Sequence, residues 1–190
     1  MSWVSTSPLV KTYTLEEFWE LPEPADHSKL ELIAGVLYMT PPPGYKHDNA
    51  VSRLLDLLPK FLAKTENQGR IRVPRAAIWT SPNTYLEPDL FYVSVETEAQ
   101  QNPERRSTAD LVVEVISPGS AIYDRNTKAD TYAALGVKEL WLIDESMETV
   151  EVRVLVEGQL QRGDLLEKDG IVRSQVLPGF EFPAKRLFED

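Results

Sequence analysis

Three acids and one amine carry the chemistry that this sequence offers. In "LVVEVIS" Glu114 stands among aliphatic residues, and by the two-residue period of a strand it shares a face with Val112 and Ile116. In "YLEPDLFYV" Asp89 follows Pro88 and opens a second apolar run, with Glu87 two residues earlier. In "KLELIAG" Glu31 lies between two leucines and should point opposite to them. In "YDRNTKADTYAALG" Asp124, Lys128 and Tyr132 recur at i, i+4 and i+8 and so stack along one helix face. Lys128 then lies about one turn into its helix, near the carboxyl end of the strand of Glu114. A carboxylate in a core costs several kcal/mol, roughly, unless it pairs, takes up a proton or binds a metal. Glu114 is therefore expected to have a partner.

For each residue a plain structural account stands beside the chemical one. Glu114 alone reads as half of a buried salt bridge, with Lys128 as its expected partner. Asp89 alone reads as a turn residue at a strand start. Asp124 and Lys128 read as an exposed ion pair, worth well under about 1 kcal/mol. His47, four residues before Val51, faces the apolar side at a helix start, where a histidine usually bonds a carbonyl. Tyr132 reads as packing. Arg70 and Arg72 share a strand face and suit phosphate contact or solubility equally well. Taken together, two converging carboxylates and a nearby lysine suit a hard divalent cation such as Mg2+ or Mn2+, which prefers oxygen ligands and keeps sites for water and phosphate. With the lysine orienting water or neutralising charge, that chemistry is phosphodiester hydrolysis.

The elements that must position these residues can be read along the chain. "KTYTLEEFWELP" starts a helix, with Thr14 and Glu17 as a capping box, Tyr13 and Phe18 as a staple, and Pro22 and Pro24 as the stop. "KLELIAGVLYMT" predicts two short strands turning at Ala34-Gly35. From His47 to Lys64, Val51, Leu54, Leu55, Leu58 and Leu62 recur at helical spacing, and Pro59 predicts a kink or an end near Leu58. "RIRVPRAAIW" and "PDLFYVSV" read as strands and "ETEAQQNPERRST" as a polar loop. "DLVVEVIS", a helix over Tyr123–Leu135 capped by Gly136, and "KELWLID" form a parallel βαβ unit, whose ligand sites belong at the carboxyl ends of its strands. Short strands with turns at Gly158 and Gly170 and a closing "LPGFEF" complete a predicted single domain over residues 1–190.

Composition bounds the partners. The chain has 190 residues, 42% of them hydrophobic and 26% charged, as in ordinary globular proteins. Without cysteine there are no disulfides or thiolate metal sites. No apolar run is long enough for a bilayer, and "MSWVSTSPLV" does not read as a secretory signal, so a cytoplasmic protein is expected. A net charge of -10 argues against an extensive grip on a nucleic-acid backbone, which usually needs a basic surface.

The chain resembles the Uma-type restriction endonucleases, a group within the PD-(D/E)xK nuclease superfamily. The resemblance rests on "YTLEEFWELP", "ELIAGVLYMTPPPGYKH", "EPDLFYV", "LVVEVISPGSAIYDRNTKADTYAALGVKELWLID" and "LPGFEF", which cover nearly the whole chain in order. It implies a restriction-endonuclease-like α/β fold, with a mixed central sheet, flanking helices and C-terminal β-hairpins. It also implies Asp89 and Glu114 as ligands for Mg2+ or Mn2+, Glu31 as an accessory acid, DNA as the substrate, and a homodimer. Where the superfamily has its lysine, two residues after the second acid, this chain has Ile116, and Lys128 on the following helix is in place to serve. Two other readings stand beside a nuclease: a non-catalytic binding module on the same fold, and a small-molecule phosphoesterase.

Overall fold

A computed structural model describes residues 11–116 and 124–189. The expected helix start at Tyr123 and the side chain of Asp124 lie outside the described residues.

The chain forms two sheets that exchange strands along one seam. Helix α1 (Leu15–Trp19) is closed by the expected capping box: Thr14 Oγ1 accepts from the Glu17 amide at 3.2 Å, and Glu17 Oε2 accepts from the Thr14 amide at 2.9 Å. Strands β1 (Lys29–Ile33) and β2 (Val36–Thr40) form a hairpin turning at Ala34-Gly35, both at positive φ (48° and 82°). Two positive φ angles make the turn whose twist matches a hairpin. Gly35 serves it because a Cβ there would sit 3.2 Å from the Tyr13 carbonyl oxygen. With β5 (Thr84–Leu86) and β4 (Ile78–Thr80) the hairpin makes a four-stranded sheet in the order β2-β1-β5-β4.

The larger sheet runs β10-β9-β8-β7-β6-β3, with β11 also pairing β9. Its strands are β3 (Arg70–Arg72), β6 (Leu90–Val93), β7 (Leu111–Ile116), β8 (Glu139–Asp144), β9 (Thr149–Val156), β10 (Gln159–Gln161) and β11 (Leu165–Leu166). Strands β7 and β8 pair in parallel and the other pairs are antiparallel, so the sheet is mixed. The parallel pair is the one expected from "LVVEVIS" and "KELWLID". A hairpin of β12 (Ile171–Arg173) and β13 (Glu181–Pro183) and a 3₁₀ turn (Ala184–Leu187) finish the chain.

Alternation along β7 assigns the two faces. Leu111, Val113 and Val115 pack with Trp141 and Ile143 beneath helix α2 (Tyr45–Lys64), which inserts Ala50, Leu54, Leu58 and Leu62. Val112 and Ile116 face the other way, with Leu140 and Leu142, against Ala129 and Tyr132. Glu114 lies on this second face by the same parity.

The structure departs from the sequence reading at several points. Helix α2 runs through Pro59 to Lys64 rather than ending near Leu58. The carbonyl of Leu55, which a residue other than proline would have bonded, lies on the exposed side of the helix, while Leu58 and Leu62 stay buried and keep the last turns in place. "RIRVPRAAIW" is not one strand: β3 joins the large sheet and β4 the small one, with Pro74 in the crossing. "YLEPDLFYV" divides in the same way into β5 and β6, so Glu87, Pro88 and Asp89 span the seam. "ETEAQ" is not loop but lies in helix α3 (Val95–Gln100), whose N-cap Ser94 accepts from the Thr97 amide. Finally, the segment after the described gap opens as a π-helical turn (Asp124–Lys128) and continues as helix α4 (Ala129–Ala134). Its wider i→i+5 repeat replaces regular i, i+4 stacking over that turn. Among the described residues no helix is long and apolar enough to cross a membrane.

Candidate functional site

The site grows out of the strand register. Strands β6 and β7 pair Leu90 with Val113 and Phe91 with Val112, so the next antiparallel step sets Asp89 opposite Glu114, on the face that holds Phe91 and Val112. Directly opposed side chains have Cβ atoms about 4.5–5.5 Å apart. The Val115 amide donates to Asp89 Oδ2 at 2.8 Å, which fixes the aspartate across the strand end. Glu31 arrives from the other sheet through the seam: its Oε1 accepts the Glu87 amide at 2.9 Å. Asp89, Glu114 and Glu31 are all buried.

Lys128 closes the group from the helical side. Its Nζ lies 2.9 Å from Glu31 Oε2 and 3.2 Å from Glu114 Oε1, and the residue is 2% exposed. It does not point into water. The hydroxyl of the fully buried Tyr132 donates to the same Glu114 oxygen at 2.5 Å, so Tyr132 orients a site acid as well as packing. His47, at the start of α2, reaches Asp89 rather than a carbonyl: its Nε2 lies 3.1 Å from Oδ2. Arg70 and Arg72 stay outside the group. Arg70 bonds the Gln68 carbonyl and Arg72 bonds Glu98.

A second amine went unread in the sequence. Lys29 donates from Nζ to the Glu87 carbonyl at 2.8 Å, and its ammonium lies 3.5 Å from Asp89 Oδ1 and 3.9 Å from Glu31 Oε1. The signal was present. Lys29 and Glu31 are two residues apart in one strand and therefore share a face.

These charges push neighbouring acids in opposite directions. Burial lifts the Glu114 carboxyl, and although Lys128 and Lys29 oppose the shift, it rises to about 7. Burial also acts to lift Asp89, but there the Lys29 charge and the hydrogen bond from His47 win and hold the carboxyl well below the usual range. Burial opposes protonation of His47, and the bond to Asp89 outweighs it, so the imidazole is raised. Asp89 is thus the committed anion, and Glu114 is the acid most costly to ionise.

The group lines the wall of a cavity of about 1260 Å³, to which Lys29, His47, Glu87, Asp89, Glu114 and Lys128 all contribute. The far wall comes from the end of α1 and the "PPPG" loop, and includes Trp19, Met39 and Pro42. Buried carboxylates, two amines and an accessible cavity meet at the carboxyl end of β7, where a βαβ unit is expected to bind ligands.

A family model for Uma2, described as "Putative restriction endonuclease", matches residues 15–185. The chain belongs to the Uma2 family. One similar solved structure is the crystal structure of a putative nuclease belonging to DUF820 from Anabaena variabilis. It is 21% identical, covers 93% of this chain and 97% of that chain, and superposes with a TM-score of 0.73. At that identity the likeness speaks for the fold, a nuclease-type mixed α/β architecture. No curated protein matches the chain. Within this Uma2 chain the seam segment Glu87–Asp89 delivers Asp89, β1 delivers Glu31 and β7 delivers Glu114.

Proposed function

We propose that this Uma2 chain is a divalent-cation-dependent endonuclease that hydrolyses phosphodiester bonds of DNA. The observation that carries the reading is the pairing of Asp89 with Glu114 across β6 and β7, under the Lys128 ammonium and open to the cavity. Family membership agrees with it.

The donor set fits such an ion. Mg2+ usually rests on one or two carboxylates and keeps the remaining positions for water and phosphate. Asp89 and Glu114 supply two carboxylates on one cavity wall, and Oδ1 of Asp89 accepts no hydrogen bond from the Val115 amide or His47, both of which use Oδ2. Among the described residues no group of three or more His, Asp or Glu is placed to hold a metal ion, so the ion would rest on these two carboxylates with water and phosphate completing its shell. When bound, Mg2+ or Mn2+ would supply Lewis-acid polarisation of the phosphoryl group. Asp89 stays ionised because Lys29 and His47 hold it so. Tyr132 and Lys128 orient Glu114. Lys128, held in turn by Glu31, presents an ammonium for the attacking water or for the charge that develops on the phosphoryl oxygens.

Cleavage of supercoiled plasmid with Mg2+ or Mn2+, with and without chelator, tests the reading. Nicking or linearisation that needs the metal and is lost in Asp89→Asn, Glu114→Gln and Lys128→Met is the expected result. Metal-independent cleavage, or none by the wild type under any cation, would refute it. The net charge of -10 favours one second reading, a phosphoesterase for small diesters that carry few phosphates. Turnover of bis(p-nitrophenyl) phosphate without plasmid cleavage would select it.

A further inference from the structure

Lys29 stands where a cation and an anion would both be felt. Its Nζ is anchored on the Glu87 carbonyl at 2.8 Å rather than on either acid, and from there it faces Asp89 Oδ1 at 3.5 Å. That oxygen is the one left open by the Val115 amide and His47. Lys29 also lines the cavity, and its side chain is 20% exposed, whereas Lys128 beside it is 2% exposed and pinned between two carboxylates. The three acids of the site carry three negative charges when ionised, and the two lysines offset two of them.

A divalent ion taken up at Asp89 Oδ1 must therefore share that oxygen with an ammonium already in ion-pair range, and like charges so close repel. A phosphate entering the cavity reverses the balance, because it gives this cavity-lining amine an anion of its own. We propose that Lys29 couples the two bindings: it weakens metal uptake by the empty site and, by contacting the substrate phosphate, restores it when substrate is present. This rests on the metal-dependent reading of the site and adds a specific consequence. Metal must tighten phosphate binding by the same factor by which phosphate tightens metal binding.

The test is calorimetric titration of Mn2+ into the whole protein, alone and with thymidine 5′-monophosphate, an anion with no diester to cleave. Lys29→Met is expected to bind Mn2+ about tenfold more tightly than the wild type in the absence of nucleotide. The nucleotide should tighten Mn2+ binding by a clearly larger factor in the wild type than in Lys29→Met, where only ligation of the phosphate by the ion itself remains. Lys29→Arg, which keeps the charge, should behave as the wild type and so separates charge from any loosening of β1. Equal or weaker Mn2+ binding by Lys29→Met, or a nucleotide effect as large in Lys29→Met as in the wild type, overturns the proposal and leaves the nuclease reading standing. Mn2+ binding by none of the three proteins removes both.

Discussion

The two ends of one pair of strands hold buried acids in different ways. At the entry to β7 and β8 sit Asp110 and Glu139. Asp110 accepts from the Ser94 amide at 2.6 Å, the Thr97 hydroxyl at 2.7 Å and Lys138 at 2.5 Å. Glu139 accepts from the amides of Gln175 and Val176 at 2.8 and 2.9 Å, from Ser174 and from the Trp141 indole. At the exit sit Glu114 and, across from it, Asp89: the Val115 amide holds one Asp89 oxygen, and the two acids otherwise lean on the side chains of Lys128, Tyr132, Lys29 and His47 and border the cavity. Backbone amides cannot leave, so Glu139, held by two of them together with an indole and a hydroxyl, serves the fold. Amines on flexible stems can turn to another anion, so a carboxylate satisfied by them can take part in chemistry. "LVVEV" and "KELWL" look alike as sequence, and the difference lies in what the fold brings to each acid.

The largest expected effect breaks the comparison at the exit. Asp89→Asn, Glu114→Gln and Lys128→Met should each lower plasmid cleavage by about 10²–10⁴-fold. Glu139→Gln at the entry, assayed per folded molecule, should leave the rate within a few-fold. A comparable loss from the entry acid would show that the two ends are not distinct.

Stability should show the reverse ranking. Removing the Glu139 carboxylate strands the Gln175 and Val176 amides and the Trp141 indole, and unpaired buried partners of a charged group are costly. Glu139→Ala is expected to lose about 3–5 kcal/mol, read as a fall in the denaturant midpoint. Because these amides hold the approach to β13, the C-terminal hairpin should lose hydrogen-exchange protection first.

Acid should find the entry end as well. Burial works to raise Asp110, but the hydrogen bonds from Lys138, the Ser94 amide and Thr97 hold its carboxyl below the ordinary 3.8. A depressed native pKa gives stability that is complete above about pH 3.8 and is lost as pH falls through the lower native value. Two acids at the exit, both lowered despite burial, add in the same direction: Asp144, lowered by Ser146, Met147 and Arg125, and Asp89, lowered by Lys29 and His47. Melting temperature should therefore drop steeply below about pH 4, and the drop should be shallower in Asp110→Asn. An unchanged acid limb in that variant would mean that the network contributes nothing to folding.

Much of this arrangement was legible before the fold was known, and the reasons are local. A carboxylate inside "LVVEV" had to have a partner, and the spacing to Lys128 brought that amine back over the end of its own strand. The hairpin at Ala34-Gly35, the capping box at Thr14 and the parallel β7–β8 pair each depend on a few neighbouring residues. What stayed hidden depends on distant chain. Nothing near "RIRVPRAAIW" or "YLEPDLFYV" reveals that each run gives its halves to different sheets, because Pro74 and Pro88 mark breaks but not destinations. Lys29 was passed over because Asp89, 60 residues away in sequence, meets it only through that seam. Helix α3 had its sign in Ser94 and the acids after it, masked by the polar stretch that follows.

Tyr132 supplies the smallest and sharpest test, since its hydroxyl bonds a site acid directly. Its ring belongs to the core beneath the sheet, while its oxygen bonds Glu114 at 2.5 Å. Tyr132→Phe keeps the ring and removes only the bond, so stability should fall by about 1.5–3 kcal/mol, the worth of one hydrogen bond to a charged group. If Tyr132 merely packs, cleavage per folded molecule should not change. If it orients Glu114, kcat should fall about tenfold with KM unaltered, because a misaimed acid harms the reaction more than substrate binding. The split between kcat and KM therefore decides whether an acid at the exit, like those at the entry, needs a fixed group to hold it in register.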